Sequence, residues 1–173
     1  MTAPRREPGK PEAHDDKMNV GAGVATERDV RTLAELYRAS REALVSERGG
    51  SVHVLNEAFA EPLEAQFEAI VHDDRWLVLL GTFDDVAVGV AVARLDEMSD
   101  SSLLATVEVL YVDTPAREVG VGEKLLATVI DWAARRGTTG VDVRVLPGMR
   151  ASKSFLEGSG FVARLLVMHR QLK

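Results

Sequence analysis

An arginine and two glycines stand where an apolar strand gives way to a helix: Arg-x-x-Gly-x-Gly, from Arg117 through Gly120 to Gly122. These residue types suit the binding of a phosphate. The first N–H groups of a helix have no partner within it. The helix dipole adds partial positive charge at the same end, so an anion placed there is held by both effects. Glycine removes side chains that would hold the anion away, and it reaches backbone angles that other residues avoid. Arg117 can add a charge-assisted, bidentate contact. The stretch 108–123 can therefore cradle a pyrophosphate. The same hexamer also occurs by chance in ordinary strand–helix turns, and both readings stand on these six letters alone.

The elements that must position this bend are legible on either side. Residues 103–112 are rich in β-branched and apolar types and predict a strand. Pro115 breaks that pattern. Val121, Leu125, Val129 and Ala133 then recur every fourth residue, with Leu126 and Ile130 beside them, which predicts a helix over 120–136 with one apolar face. Gly137 closes it, with Arg135 and Arg136 in its last turn.

Composition bounds what this bend can belong to. The chain has 173 residues, 46% of them hydrophobic, which is one domain's length with enough apolar residues for a sizeable core. Lys and Arg number 21 against 27 Asp and Glu, a formal net charge of -6. That balance argues against nucleic-acid binding as the main task. There is no cysteine, which excludes disulfides, Cys-ligated zinc and a Cys nucleophile. The four histidines, His14, His53, His72 and His169, show no metal-ligand spacing, and no metal is expected. No apolar run approaches a membrane span, and Arg5 and Arg6 precede no apolar segment of the secretory kind. The cytoplasm is the default expectation.

Residues 1–17 carry Pro4, Pro8, Gly9 and Pro11 among many charges and predict a disordered tail, so the folded domain is expected over 18–173. A short strand over 19–25 comes first, weakened by Gly21 and Gly23. Thr26 and Asp29 make an imperfect capping box for a helix that Val30, Leu33, Ala34, Tyr37 and Leu44 carry to about Ser46, with Gly49-Gly50 as its end. Pro62 suits the first position of a second helix with Leu63, Phe67, Ile70 and Val71 on its apolar face. Strands are expected over 76–80 and 86–95, with a hairpin turn at 81–85. With 103–112 they form an antiparallel meander. Val141, Val143 and Val145 alternate with Asp142 and Arg144, a strand that must lie parallel to 103–112 because a helix connects the two. A short helix over 150–158 and a last strand over 161–172 complete the chain. The predicted class is α+β, a mixed and mostly antiparallel sheet of about six strands with helices on both faces.

The run Leu-Tyr-Val-Asp-Thr-Pro-Ala-Arg-Glu-Val-Gly-Val-Gly, with Val112, Pro115, Arg117, Gly120 and Gly122 in register, closely resembles the acetyl-CoA motif of the GNAT superfamily of N-acetyltransferases. Gly160-Phe161 falls where that family has its Gly-Phe, and the order of elements from about Val20 to Leu172 fits. The resemblance implies acetyl-CoA as co-substrate and a primary amine as acceptor, either a small molecule or a protein amine. It implies that the backbone of Leu110, Tyr111 and Val112 pairs with the pantetheine arm like an added strand, one N–H polarising the thioester carbonyl. The N–H groups of Glu118, Val119, Gly120, Val121, Gly122 and Glu123 would take the pyrophosphate, with Arg117 supporting the turn. The first two helices would wall the acceptor site. Many relatives are dimers, so a homodimer is compatible with it.

Amine acetylation needs a group to draw the amine proton, and Glu108 is the candidate. An acid inside an apolar strand, between Val107 and Val109, calls for a reason. Some GNAT enzymes carry a glutamate here, thought to act through water. Glu108 lies two residues before Leu110, so alternation puts both on one face and turns Tyr111 to the other. The alternative is a solvent-facing glutamate on a half-exposed sheet. The family's general acid is a tyrosine in the pattern Asn-x-x-Ala-x-x-x-Tyr, and here the matching positions are Met149, Ser152 and Leu156. Leucine gives no proton. Ser152 or Ser154 can contact the coenzyme A thiol or phosphopantetheine instead, Tyr111 can stand in, or the thiolate leaves without a dedicated acid. A catalytically weak or inactive acyl-CoA-binding regulatory domain on the same fold is the alternative function. A dinucleotide enzyme is disfavoured, because the meander is not a βαβ unit and no full Gly-x-Gly-x-x-Gly exists.

Overall fold

The computed structural model describes residues 19–172, so the tail expected over 1–17 lies outside the described residues. Its elements in chain order are β1 (Val20–Val24), a 3-10 turn (Glu27–Asp29), α1 (Val30–Val45), α2 (Gly50–Asn56), α3 (Leu63–Ile70), β2 (Trp76–Phe83), β3 (Val86–Glu97), β4 (Leu103–Val112), a 3-10 turn (Thr114–Ala116), α4 (Val121–Arg135), β5 (Val141–Val143) and α5 (Arg150–Gly158). The strands form one sheet in the order β1-β2-β3-β4-β5. The first three pairings are antiparallel and β4–β5 is parallel, as the helical crossover requires. The mixed α+β class is therefore as the sequence predicts, with five strands rather than six.

Each face of the sheet carries its own core. Val78, Val90, Val92 and Val109 pack on one side with Leu33, Leu36 and Tyr37 of α1 and Leu63, Phe67 and Ile70 of α3. Tyr37, Phe59, Phe67 and Trp76 meet there as a set of stacked and edge-on rings, 5.2 to 6.1 Å apart. On the other side Leu79, Ala91, Ala93, Ala105 and Val107 pack beneath Val121, Leu125, Val129, Trp132 and Ala133 of α4. The four-residue spacing read from the sequence is thus the buried stripe of α4.

The depth at which α4 sits is set by Gly81 on β2. A Cβ there would lie 2.6 Å from Val121 Cγ1 and 2.9 Å from Leu125 Cδ1, both on fully buried side chains. The first turn of α4 therefore rests directly on β2, which fixes the bend before it. Gly81→Val is expected to lower stability by about 1–3 kcal/mol through overpacking. Urea unfolding reads this out, and an unchanged midpoint would show that the helix has room to lift.

Four local readings differ from the sequence expectations. Gly49 and Gly50 do not simply end α1: Gly49 is left-handed at φ +84° and starts α2, which the sequence reading left as an inter-helix segment. The hairpin turn is confined to Asp84-Asp85, both at positive φ, so β2 runs on through Phe83. Strand β5 stops at Val143, short of Val145, ahead of the turn at Pro147-Gly148. Finally, 161–172 forms no strand. The edge it would pair with is only three residues long, and too little ladder remains to hold it. Among the described residues no helix is long and apolar enough to cross a membrane.

Candidate active site

The bend between β4 and α4 is open and lined by unpaired donors. Asp113 and Thr114–Ala116 turn the chain, and Arg117 Nε donates to the Val112 carbonyl at 3.1 Å, closing the bend on itself. Glu118 then adopts φ +70° and Gly120 φ +97°. A glutamate in the left-handed region is strained by on the order of 1–3 kcal/mol, the kind of backbone cost that clusters at binding sites. The strain turns consecutive N–H groups outward. None of the N–H groups of Glu118, Val119, Gly120, Val121, Gly122 or Glu123 donates to another described residue, and the first helical bond into the bend is Lys124 N–H to the Gly120 carbonyl at 3.0 Å. A Cβ on Gly120 would meet nothing within 4 Å, so the space beside Gly120 is open. The side chains of Glu118 and Glu123 are acidic, and only their backbone suits an anion.

Strand β4 continues that line of donors. Its pairing with β5 covers only Ala105–Val107 against Val141–Val143, so β4 leaves β5 behind beyond Val107. Asp113 N–H bonds the Val88 carbonyl on the β3 side. Backbone alternation then directs the N–H groups of Leu110 and Val112 to the opposite, vacated edge. Unpaired edge donors in an otherwise satisfied sheet suit an extended ligand that pairs as a strand. Tyr111, on this alternation, bonds toward β3, so it contributes its side chain rather than its N–H to the gap.

A bulge changes where the side chains of β4 point. Val92 pairs with Val109 but Ala93 pairs with Val107, which leaves Glu108 as an extra residue with no partner of its own. Simple alternation, expected to put Glu108 and Leu110 on one face and Tyr111 on the other, therefore fails. Leu110 and Val112 pack on the α4 side, whereas Tyr111 packs on the α1–α3 side. Glu108 faces Arg94, which alternates along β3 with Val90 and Val92 onto that same α1–α3 side. The chain's two tyrosines, Tyr37 and Tyr111, thus both share a face with Glu108.

Glu108 is not the solvent-facing acid of the alternative reading. Its side chain is 12% exposed. Arg94 Nε donates to Oε1 at 2.6 Å, and Arg94 also holds Asp96, whose other oxygen accepts from Thr106 at 2.7 Å. The pairing with Glu108 raises the pKa of the Arg94 guanidinium above its ordinary value. Arg144, just past β5, lies 3.6 Å from Oε2, an ion pair beyond hydrogen-bond reach, so Oε2 accepts no hydrogen bond from another described residue. Arg144 also reaches Glu57 at the end of α2, which lies 3.5 Å from His53. A chain of charges therefore runs from α2 across the mouth of the gap to β3.

The sequence reading missed this chain. Arg94 and Asp96 are charges two apart in an apolar strand, the signal that drew attention to Glu108, and it was available for them as well. Nothing local to Arg144 marks it, because its meeting with Glu57 depends on where α2 lands.

Around the gap beside β4 the structure brings some expected residues together and not others. Burial raises the Tyr111 hydroxyl above the ordinary tyrosine range, and the neighbouring Asp113 adds to the shift. Leu156 is buried in the core. Phe155 turns its ring toward the bend, with Cζ 3.9 Å from where a Gly122 Cβ would stand. Ser152 is half-buried one turn before Phe155, on the same side of α5, while Ser154 is exposed. The remaining histidines stand apart: His72 pairs with Glu27 at 2.6 Å and His169 is exposed, while His14 lies outside the described residues.

Comparison with known proteins follows this geometry. The sequence model described as the acetyltransferase (GNAT) family matches residues 32–161. A search of curated proteins finds no match. A mutant of the BH1408 protein from Bacillus halodurans superposes with a TM-score of 0.74 at 18% identity, covering 88% of this chain and 99% of that one. AAC(6')-Iy in complex with the bisubstrate analogue CoA-S-monomethyl-acetylneamine gives 0.68 at 20% identity, over 90% and 99%. An aminoglycoside acetyltransferase from an uncultured soil metagenomic sample, in complex with sisomicin, gives 0.68 at 17% identity, over 89% and 95%. At such identities the superpositions establish the shared fold. The family match spans most of the chain, from α1 through the bend to α5, and on that ground this protein belongs to the GNAT acetyltransferase family.

Proposed function

We propose that the protein is an N-acetyltransferase that moves an acetyl group from acetyl-CoA directly to a primary amine, both substrates being bound together. The observation that carries this reading is two sets of unpaired N–H groups, those of Leu110 and Val112 on a vacated strand edge and those of Glu118 through Glu123 at the start of α4. A thin arm ending in a diphosphate matches the two sets in both shape and charge. Acetyl-CoA supplies the acetyl group as an activated thioester.

The chain's own residues then divide the work. The N–H groups of Glu118 through Glu123 hold the diphosphate, Arg117 fixes the bend, and Ser152 borders the arm from α5. The N–H of Leu110 or Val112 polarises the thioester carbonyl. Glu108 draws the amine proton through a water on Oε2, because Arg94 occupies Oε1. Tyr111, protonated at neutral pH as tyrosines are, gives its hydroxyl proton to the departing sulfur. The proton on Glu108 restores that hydroxyl through solvent, so the protons balance. Holding the amine and the thioester side by side supplies much of the rate.

The acceptor is a small-molecule amine or a protein amine. Two structural neighbours carry aminoglycoside-derived groups in their complexes, which makes aminoglycosides a natural part of the panel. The test is thiol release on mixing the protein with acetyl-CoA and a panel of aminoglycosides, polyamines, amino acids and peptide N-termini. Release with at least one amine is expected. Leu156, buried where the family's tyrosine stands, favours a second reading, an acyl-CoA-binding regulatory module. Tight acetyl-CoA binding with no turnover on any amine would select it.

A further inference from the structure

Arg144 stands beside Glu108 with most of its donors unused. The parallel register pairs Val107 with Val143, so the next step along both strands brings Arg144 abreast of Glu108, where β5 ends and the gap opens. One terminal nitrogen of its guanidinium donates to Glu57 at 3.3 Å and lies 3.6 Å from Glu108 Oε2. Nε and the other terminal nitrogen donate to no described residue. The side chain is 48% exposed, so this free edge is within reach of a ligand at the mouth of the gap. Arg94 differs, because its Nε is held by Glu108 and a terminal nitrogen by Asp96.

An acceptor on its way to Glu108 must pass this guanidinium. The carboxylates at the mouth already have arginines: Glu108 has Arg94, and Glu57 has Arg144. A polycation finds no unpaired anion there. A carboxylate finds a planar edge of two N–H donors, the geometry of a bidentate, charge-assisted pair. A molecule that carries both an ammonium and a carboxylate uses both sides of the site. In an α-amino acid the nitrogen and the nearer carboxylate oxygen are about 3 Å apart by standard bond lengths. Oε2 of Glu108 and the Arg144 nitrogen are 3.6 Å apart, so a zwitterion laid against them sets each of its charges beside an opposite one. The arginine stem takes up the width of the water through which Glu108 acts.

We propose that Arg144 binds a carboxylate carried by the acceptor, which makes the acceptor an α-amino acid. This rests on the N-acetyltransferase reading above and names its substrate class. The carboxylate takes Nε and the free terminal nitrogen of Arg144. Glu57 keeps the remaining nitrogen and so fixes the guanidinium over the gap. The ammonium faces Oε2 of Glu108. The transfer keeps its balance: the amine nitrogen bonds the acetyl carbon, the carbon–sulfur bond breaks, Glu108 receives the amine proton and Tyr111 supplies the proton of the thiol. Arg144 is then a specificity-determining residue.

Matched pairs test this, each an α-amino acid and the amine that has hydrogen in place of its carboxyl group: phenylalanine with phenethylamine, leucine with isoamylamine, lysine with 1,5-diaminopentane. Two readouts are taken on the full chain, thiol release with acetyl-CoA and calorimetric binding to the complex with coenzyme A. In the wild type at least one amino acid should exceed its partner about 50-fold in kcat/KM, mostly through KM, the worth of a charge-assisted pair. A peptide N-terminus, whose α-carboxyl group is an amide, should side with the plain amines. In Arg144→Gln the ratio should fall to about one, and Arg144→Lys should restore part of it. Each ratio is read within one protein, so a loss of folded material cancels. Thiol release that favours the plain amines, or a preference indifferent to Arg144→Gln, overturns the proposal and leaves the N-acetyltransferase reading standing. Amino-acid binding that Arg144→Gln abolishes, without thiol release from any amine, upholds the carboxylate contact and sinks the transferase reading. Binding of no amino acid to the coenzyme A complex overturns the proposal.

Discussion

Gly120→Glu is expected to weaken acetyl-CoA binding by at least 100-fold. Two effects combine. The substitution places a carboxylate in the open space beside the bend, where nothing now stands within 4 Å. A like charge about 4 Å from a diphosphate costs about 4 kcal/mol at an effective dielectric of 20, which alone exceeds the stated factor. The second effect is backbone strain at φ +97°, worth about 1–2 kcal/mol and spent on stability rather than on ligand. Gly120→Asn separates the two, because asparagine tolerates the left-handed region and brings no charge. The glutamate variant should lose binding by calorimetry while the asparagine variant keeps most of it. Equal affinities in all three proteins would mean that the bend does not receive the diphosphate.

Glu108→Gln is expected to lower turnover by about 10²–10⁴, the usual contribution of a positioned base. The affinity for acetyl-CoA should change little, because Glu108 lies on the α1–α3 side of β4, away from the donors at the bend. Glutamine keeps the shape and can still accept from Arg94 Nε, so Arg94 retains both partners, the other being Asp96. The two measurements are turnover with the best amine of the panel and calorimetric affinity for acetyl-CoA. A parallel loss in both would make Glu108 a support of the fold. Full activity at every pH would remove it from the reaction.

Both variants rest on a bend that is written locally, which is why it was legible. The strand over Leu103–Val112, the proline, the glycines and the stripe Val121, Leu125, Val129 and Ala133 each carry their structural meaning within a few residues. The parallel β4–β5 pairing followed from the helical crossover, with no need for side-chain detail. What was not legible depends on register and on distant landings. The bulge opposite Val92 and Ala93 inserts one residue into β4, and nothing in Thr-Val-Glu-Val-Leu distinguishes a bulged strand from a plain one. The face assignments of Leu110 and Tyr111 relative to Glu108 were lost with it. Helix α2 was hidden because glycine pairs usually stop helices, whereas here Gly50 packs so closely under Leu44 that a Cβ would lie 1.7 Å from its carbonyl oxygen. The final strand failed for another reason. Its composition was read correctly, but a strand needs an edge, and the edge its own chain offers is three residues long.

The unpaired residue in β4 has an evolutionary side. Because it occupies one unit of chain length and no unit of its neighbour's, it works as a phase shifter. Everything upstream keeps time with β3 in one phase, and everything downstream keeps time in the other. Losing the Glu108 codon would close the bulge to plain alternation, and Val109, Leu110 and Tyr111 would keep their β3 partners and the faces they already hold. The carboxylate is thus a spare unit of chain length, and descendants of this chain can lose it together with its charge without shifting the strand that leads to the anion seat.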